Sequence, residues 1–374
     1  MDAGPLVLPP RVARPLRLLP FRGIMLAAGR IGAPSSVRAF TRPYGDVAER
    51  LQRWERRGQL TRDDESAVYL HEFTSGGMTV RGLVGALDIS RQASARGDVA
   101  VFPHEGVHPA QADELAARMT EMQTNPAPIL LVHRGPASVR RLLDTVQQRP
   151  PTRELTDRGG QHHRVWAIRD RGDLAVLAES LAPTRALIAD GHHRYTAYLQ
   201  MQRADPRPST SAGLAILVDQ DDTPLLLGPI HRVLGHVTLE GLLAACDRAG
   251  VAFTRTDEAP AVAALPADTL AATDGRRWAL LRLALPSDRI AVEVLHDQLL
   301  PALAPRPTRV GYQHTVDDAL AAVTTGPATA LLMPAPDFAE VLAVCGHDRL
   351  LPEKATSFQP KPNVGVLIRS LRDG

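Results

Sequence analysis

Lysine is almost missing from this chain. Of 43 basic residues only Lys354 and Lys361 are lysines, and both lie in the segment 353–362, Glu-Lys-Ala-Thr-Ser-Phe-Gln-Pro-Lys-Pro. A GC-rich codon bias explains a background of arginine. A functional reading stands beside it: arginine and lysine differ in shape, hydration and pKa behaviour, and a phosphate or carboxylate clamp uses a compact ammonium. Cysteine is as scarce. Cys246 and Cys345 have no C-x-x-C spacing and no metal-ligand neighbour, so a reduced, cytoplasmic setting is expected. Net charge is nearly absent at +2, which leaves no electrostatic footprint for nucleic acid or an anionic membrane. No apolar run is long enough to span a bilayer. Residues 1–20 hold five prolines, three arginines and no apolar h-region, so no signal peptide is expected. Internal repeats and low-complexity tracts are missing as well.

What remains is ordinary for a soluble globular protein: 374 residues, 44% hydrophobic and 22% charged, with room for two or three domains. The spacing predicts a helix over 47–57. Strands follow over 67–73 and 78–88, joined at Ser75-Gly76-Gly77 by a hairpin signal. Another strand is expected at 99–102, a helix at 109–123 and a strand at 127–133. The polar stretch 147–161 is the best linker candidate. Beyond it come a strand at 165–168, a helix at 174–181, a surface loop at 203–211, and strands at 214–218 and 224–227. The remainder alternates helices (239–249, 316–324, 336–344) with strands (278–283, 290–295, 329–333). The fold class expected is mixed α/β or α+β, in three parts: 1–150, 151–235 and 236–374.

The most informative stretch is Ile188-Ala-Asp-Gly-His-His-Arg-Tyr195. An apolar run, 186–189, reads as a buried strand. Asp190-Gly191 breaks it, and a helix is expected over 195–202. A strand, a glycine turn and a helix start bring backbone N–H groups, a helix dipole and cationic side chains to one place, which is the physics of an anion site. Asp190, Gly191, His192, His193, Arg194 and Tyr195 are therefore candidate nucleotide- or phosphate-binding residues. Asp190 is also a candidate helix cap or magnesium ligand.

Other histidine clusters are weaker. His104-Glu105-Gly106-Val107-His108 matches the H-E-x-x-H pattern of zinc proteases, which requires one helix face. Pro103 and Pro109 bracket it and Gly106 interrupts it, so a strand-to-helix loop presenting His104 and Glu105 is the better reading. Gln161-His-His-Arg164 imitates the box without its strand and turn, and reads as a polar turn. His231-Arg232 follows a buried run and suits either a site lining or a strand-edge pair. Arg42-Pro-Tyr-Gly-Asp46 is turn chemistry.

In this order, four blocks resemble a bacterial and archaeal family, the domain of unknown function 1015. They are Pro20-Phe-Arg-Gly23 with the 42–47 turn; Pro103-His104-Glu105 with Asp113 and Asn125-Pro-Ala-Pro-Ile129; the 189–195 box continuing to Pro229-Ile-His-Arg232; and 351–362 ending at Gly365. Leu351 stands where the family has methionine. Ala355 stands where it has serine, so that hydroxyl is absent here. The box is also similar to the phosphate-binding turn of the ParB/sulfiredoxin fold, which includes nucleotidases, partition proteins that bind a nucleotide, sulfiredoxins and free-serine kinases. That resemblance implies a ParB/sulfiredoxin-like core with added mixed-sheet subdomains. It implies ATP or ADP with Mg2+, and phosphoryl transfer to a small hydroxylated metabolite, serine-like first. Glu105, His104, His193 and Arg194 would be the catalytic group. His231, Arg232, Lys354, Ser357 and Lys361 would clamp phosphate or substrate. The alternatives are a ParB-like nucleotide-binding regulator without turnover and a metal-dependent phosphohydrolase.

Overall fold

A computed structural model describes residues 6–32, 40, 42–346 and 349–373. The chain forms two compact units, Met1–Leu225 with Pro360–Gly374, and Leu226–Gln359. The divisions thus fall after residues 225 and 359, whereas the sequence placed them near 150 and 235. The polar stretch at 147–161 supplies no break. Its strand Arg153–Thr156 pairs antiparallel with His162–Ile168 and extends the main sheet.

That sheet has ten strands. Its order is Val12–Ala13, Val99–Phe102, Ala186–Asp190, Ile129–His133, Ala212–Asp219, Met78–Asp88, Val68–Ser75, His162–Ile168 and Arg153–Thr156, with Leu18–Leu19 beside Met78–Asp88. Ala186–Asp190 is parallel to Val99–Phe102 and antiparallel to Ile129–His133, which is in turn parallel to Ala212–Asp219. These central strands are buried on both faces, and their sequences are accordingly near-continuous apolar runs. The expected hairpin is present. Ser75 faces Met78 across Gly76 and Gly77, both at positive φ (58° and 81°), as the twist-matched two-residue turn demands. Helix Pro109–Met122 packs on helix His192–Ala204, where Gln200 donates to Asp113 over 2.7 Å.

A smaller sheet, Leu60–Arg62, Gly23–Leu26, Ile368–Ser370 and Thr124–Asn125, ties the C-terminal segment into the first unit. In the second unit six antiparallel strands lie in the order Ala252–Thr256, Trp278–Arg282, Thr269–Thr273, Ala328–Leu332, His231–Gly235 and Arg309–Gln313. Helices Leu239–Ala249 and Val316–Thr324 are where periodicity placed them.

Residues 290–295 correct the sequence reading. They form a helical turn, Ala291–Val294, running into a wider turn, Leu295–Leu299, instead of a strand. Periodicity does not separate a short buried helix from a buried strand when five of the six positions are apolar and the sixth, Glu293, is buried with them. Here the Ile290 N–H donates to the Glu293 carboxylate at 3.0 Å, which fixes a helix start.

Gly213 sits under the Tyr198 ring, and a Cβ there would overlap ring carbons. Tyr198 is 2% exposed, with its hydroxyl 3.3 Å from the carbonyl oxygens of Ala127 and Leu214, so the ring has nowhere to go. Gly213→Ala is expected to lower the unfolding free energy by about 1–3 kcal/mol, the usual cost of overpacking, read from the urea midpoint. An unchanged midpoint would show that the ring yields.

Candidate active site

Strand Ala186–Asp190 ends at Gly191, whose φ of +91° makes it the left-handed N-cap of helix His192–Ala204. A Cβ on Gly191 would meet Ile129 and the Arg194 guanidinium at 3.0 Å, so glycine is required both by backbone and by space. The first intrahelical bond runs from the Tyr195 N–H to the Gly191 carbonyl at 2.8 Å. The helix therefore opens three residues earlier than expected, and His192, His193 and Arg194 form its first turn. Their backbone N–H groups point along the axis with no acceptor inside the helix, at the positive end of the dipole.

Two cations converge on Asp190. Lys361 Nζ lies 2.5 Å from Oδ1 and Arg194 Nη2 lies 2.7 Å from Oδ2, while Arg194 Nη1 donates to the Pro128 carbonyl. Burial alone would raise the Asp190 carboxyl, but the Arg194 and Lys361 charges outweigh it and hold the group below the usual carboxylate value. Both oxygens are thus already engaged. Among the described residues no group of three His, Cys, Asp or Glu side chains could hold a metal ion. A magnesium ion on Asp190 would have to displace Lys361 or Arg194 from one of its oxygens.

The 103–108 loop closes on the same helix start. His104 Nδ1 donates to the Ile188 carbonyl at 2.8 Å, the His104 N–H donates to His192 Nε2 at 3.4 Å, and the His108 N–H donates to His193 Nε2 at 3.1 Å. The His104 and His192 rings meet edge to face at 4.6 Å between centroids. Glu105 Oε1 lies 3.5 Å from His104 Nε2. His108 caps helix Pro109–Met122 in extended conformation, so the H-E-x-x-H residues share no helix face, as the prolines foretold.

A ring that accepts at Nε2 carries its proton on Nδ1 and is neutral. The box histidines are therefore acceptors for backbone amides, and the charge for an anion resides on Arg194 and Lys361. Tyr195 takes no part. It is fully buried and its hydroxyl donates to the Pro10 carbonyl at 2.6 Å.

Of the expected clamp residues, Lys361 alone belongs to the unit that carries the box. His231, Arg232, Lys354 and Ser357 belong to the second unit. His231 Nδ1 accepts from the Met333 N–H at 3.0 Å, and burial with the adjacent Arg232 charge pushes the ring down to about 4. Arg232 is fully buried, donates to the Ile230 and Glu353 carbonyls and lies over the Tyr312 ring. Ser357 Oγ sits 3.2 Å from His314 Nδ1, and Lys354 is exposed.

The family profile described as a protein of unknown function, DUF1015, matches residues 20–299. The chain belongs to the DUF1015 family. Among solved structures, a conserved hypothetical protein from Pyrococcus furiosus is similar at 15% identity and TM-score 0.41, over 73% of this chain and 93% of that one. A free serine kinase variant in complex with AMP is similar at 14% and 0.43, over 77% and 92%. SbnI with a C-terminal truncation, from Staphylococcus aureus, is similar at 10% and 0.41, over 72% and 83%. No curated protein matches this DUF1015 member.

Sequence reasoning missed the acceptor role of the box histidines and the part played by Pro128. It also missed Asp157, Gln161 and Asn363, which hold the backbone around Lys361. The scarcity of lysine and the family block at 351–362 pointed to Lys361, but neither pointed to the 157–161 turn.

Burial, with His104 beside it, pushes His192 down to about 3. The folded value lies below the ordinary value of about 6.5, so protons bind the unfolded chain first. The stabilisation is complete above pH 6.5 and is lost as pH falls towards 3, at up to about 1.4 kcal/mol per pH unit. His133, buried and pushed down to about 4, acts in the same direction. Unfolding free energy is therefore expected to drop between pH 6.5 and 5, above the range where carboxylates titrate. His192→Gln, which keeps an acceptor for the His104 N–H, should flatten part of that slope. An equal slope in the variant would show that His192 is not the group titrating.

Proposed function

We propose that the Asp190–Arg194 turn binds the phosphates of a nucleotide and that this protein transfers a phosphoryl group to the hydroxyl of a small metabolite. The observation that carries the reading is the convergence at one helix start of backbone amides, two cations on Asp190, and a loop carboxylate, Glu105. Glu105 and Asp190 both lie close enough to His192 to act on it electrostatically. Phosphoryl transfer calls for little else: cradled phosphates, charge stabilisation and a base for the attacking hydroxyl.

In this reading the amides of 192–194 hold the phosphate to be transferred or its neighbour, and Arg194 and Lys361 stabilise its charge. Glu105 accepts the proton as the acceptor oxygen forms its bond to phosphorus and the bond to the departing nucleotide breaks. His104 positions Glu105, and His192 and His193 fix the loop. A serine-like amino acid is the first acceptor to assay, because the box resembles that of free-serine kinases. ATP and ADP are both candidate donors.

A thermal-shift series with ATP, ADP and AMP, with and without magnesium, tests the first step. At least one nucleotide is expected to raise the midpoint, and Lys361→Ala to weaken its binding by roughly ten- to a hundredfold, the loss of one charge-assisted hydrogen bond. Glu105→Gln is then expected to retain binding and to lower transfer to serine by roughly 10²–10⁴-fold. Stabilisation by no nucleotide overturns the proposal. Binding without transfer to any hydroxylated acceptor leaves a nucleotide-binding regulator.

A further inference from the structure

The second His-His-Arg stretch has a place that the box does not explain. Strands Arg153–Thr156 and His162–Ile168 are joined by a tight turn. The Asp157 N–H donates to the Gln161 carbonyl at 2.8 Å, and the Gln161 N–H donates back to Asp157 Oδ1 at 2.9 Å. From this turn two side chains reach the segment that bears Lys361. Gln161 Nε2 donates to the Lys361 carbonyl at 2.9 Å, and Gln161 Oε1 accepts from the Asn363 N–H at 3.1 Å. One primary amide thus grips the backbone on both sides of Pro362. Asp157 Oδ2 accepts from Asn363 Nδ2 at 2.5 Å and faces His163 Nε2 at 3.0 Å.

The grip is tight and largely dry. Asp157 is 5% exposed, Gln161 8% and His163 fully buried. His163 Nδ1 faces Nε2 of buried His71 at 3.1 Å. A Cβ on Gly32 would come within 3.2 Å of both Asn363 and Asp157. Farther on, the Leu26 N–H donates to the Gly365 carbonyl at 2.9 Å, and Ile368–Ser370 is locked between two strands.

The ammonium itself holds nothing comparable. The Lys361 side chain is 41% exposed, so its ion pair is screened by water, whereas Asp157, which holds Asn363 and the Gln161 N–H, is buried and its charged hydrogen bonds are the stronger ones. A lysine with four rotatable bonds stays on Asp190 only if its backbone is fixed nearby. We infer that Gln161, Asn363 and Asp157 are positioning residues that set Lys361 on Asp190, so that the strength of the anion site is governed from the 157–161 turn as well as from the box. The last arm of the test rests on the phosphate-binding reading above; the first does not.

The chain carries its own reporter, because it has only two lysines and Lys354 serves as the internal reference. Amine acylation of the full-length protein, followed by peptide mass spectrometry, gives the Lys361 to Lys354 rate ratio. Gln161→Met, which keeps shape and removes both hydrogen bonds, is expected to raise that ratio several-fold. Asn363→Ser is a milder second variant should Gln161→Met not fold. An unchanged ratio in a folded variant overturns the inference. Pyrophosphate affinity is the second readout. Gln161→Met is expected to weaken it as Lys361→Ala does, and the double variant to be no weaker than Lys361→Ala alone. Fully additive losses would mean that Gln161 does not act through Lys361, and would overturn the inference too. If the labelling ratio rises but the unsubstituted protein binds no pyrophosphate, the positioning stands and the phosphate-site reading falls.

Discussion

The Asp190 carboxylate is the point on which the candidate site depends. It sits at the end of a central strand, where a bare charge would be costly, and it is ionised because two cations face it. One is local: Arg194 stands one helical turn on. The other arrives from 171 residues away and requires the C-terminal segment to return to the first unit. The two are not interchangeable. Arg194 spends one nitrogen on a carboxylate oxygen and another on the Pro128 carbonyl, so the remaining oxygen is available to a single-point donor. A second guanidinium presents a flat fork suited to two acceptors, whereas an ammonium needs only one. In a chain that otherwise uses arginine, that is a physical reason for lysine at 361.

Histidine abundance at the box invites a cationic reading, and the hydrogen bonds point the other way. Nε2 of His192 and of His193 receives a backbone N–H from the loop that carries Glu105. Neutral rings let that loop approach a helix start already crowded by Arg194 and Lys361. Protonated rings would repel those cations and lose their acceptor role. The box is thus a joint between two loops as much as a ligand cradle, and its charge is supplied by two residues of different chemistry.

Much of this was legible in the sequence because it was local. Strand, glycine turn and helix at 186–202 follow from an apolar run, Asp190-Gly191 and the periodicity behind it. The Ser75–Gly77 hairpin follows from adjacent glycines. The H-E-x-x-H match was set aside from Pro103, Gly106 and Pro109 alone. What escaped was either degenerate or long-range. Residues 290–295 are apolar but for the buried Glu293, so no period separates helix from strand. The stretch at 147–161 has a linker's composition, yet pairing of Arg153–Thr156 with His162–Ile168 draws it into the sheet. Tyr195 shares the box motif but is fully buried, because adjacent residues on a helix do not share a face and Arg194 beside it turns to Asp190.

The segment 353–362 shows why a contiguous motif need not be one site. Through Gln359 it belongs to the second unit, where Ser357–Gln359 pairs with Leu226–Gly228; from Pro360 it belongs to the first. Lys354 stands just before the buried run Ala355–Phe358 at φ +57°, a conformation that costs a residue with a side chain about 1–2 kcal/mol and that glycine adopts freely. The chain turns there because the next four residues are buried, and that burial carries the cost. Lys361 has no such strain; its placement comes from side chains that grip the neighbouring backbone. The two lysines are seven residues apart in sequence and subject to different constraints: the first to the packing of the buried run that follows it, the second to a turn two hundred residues earlier.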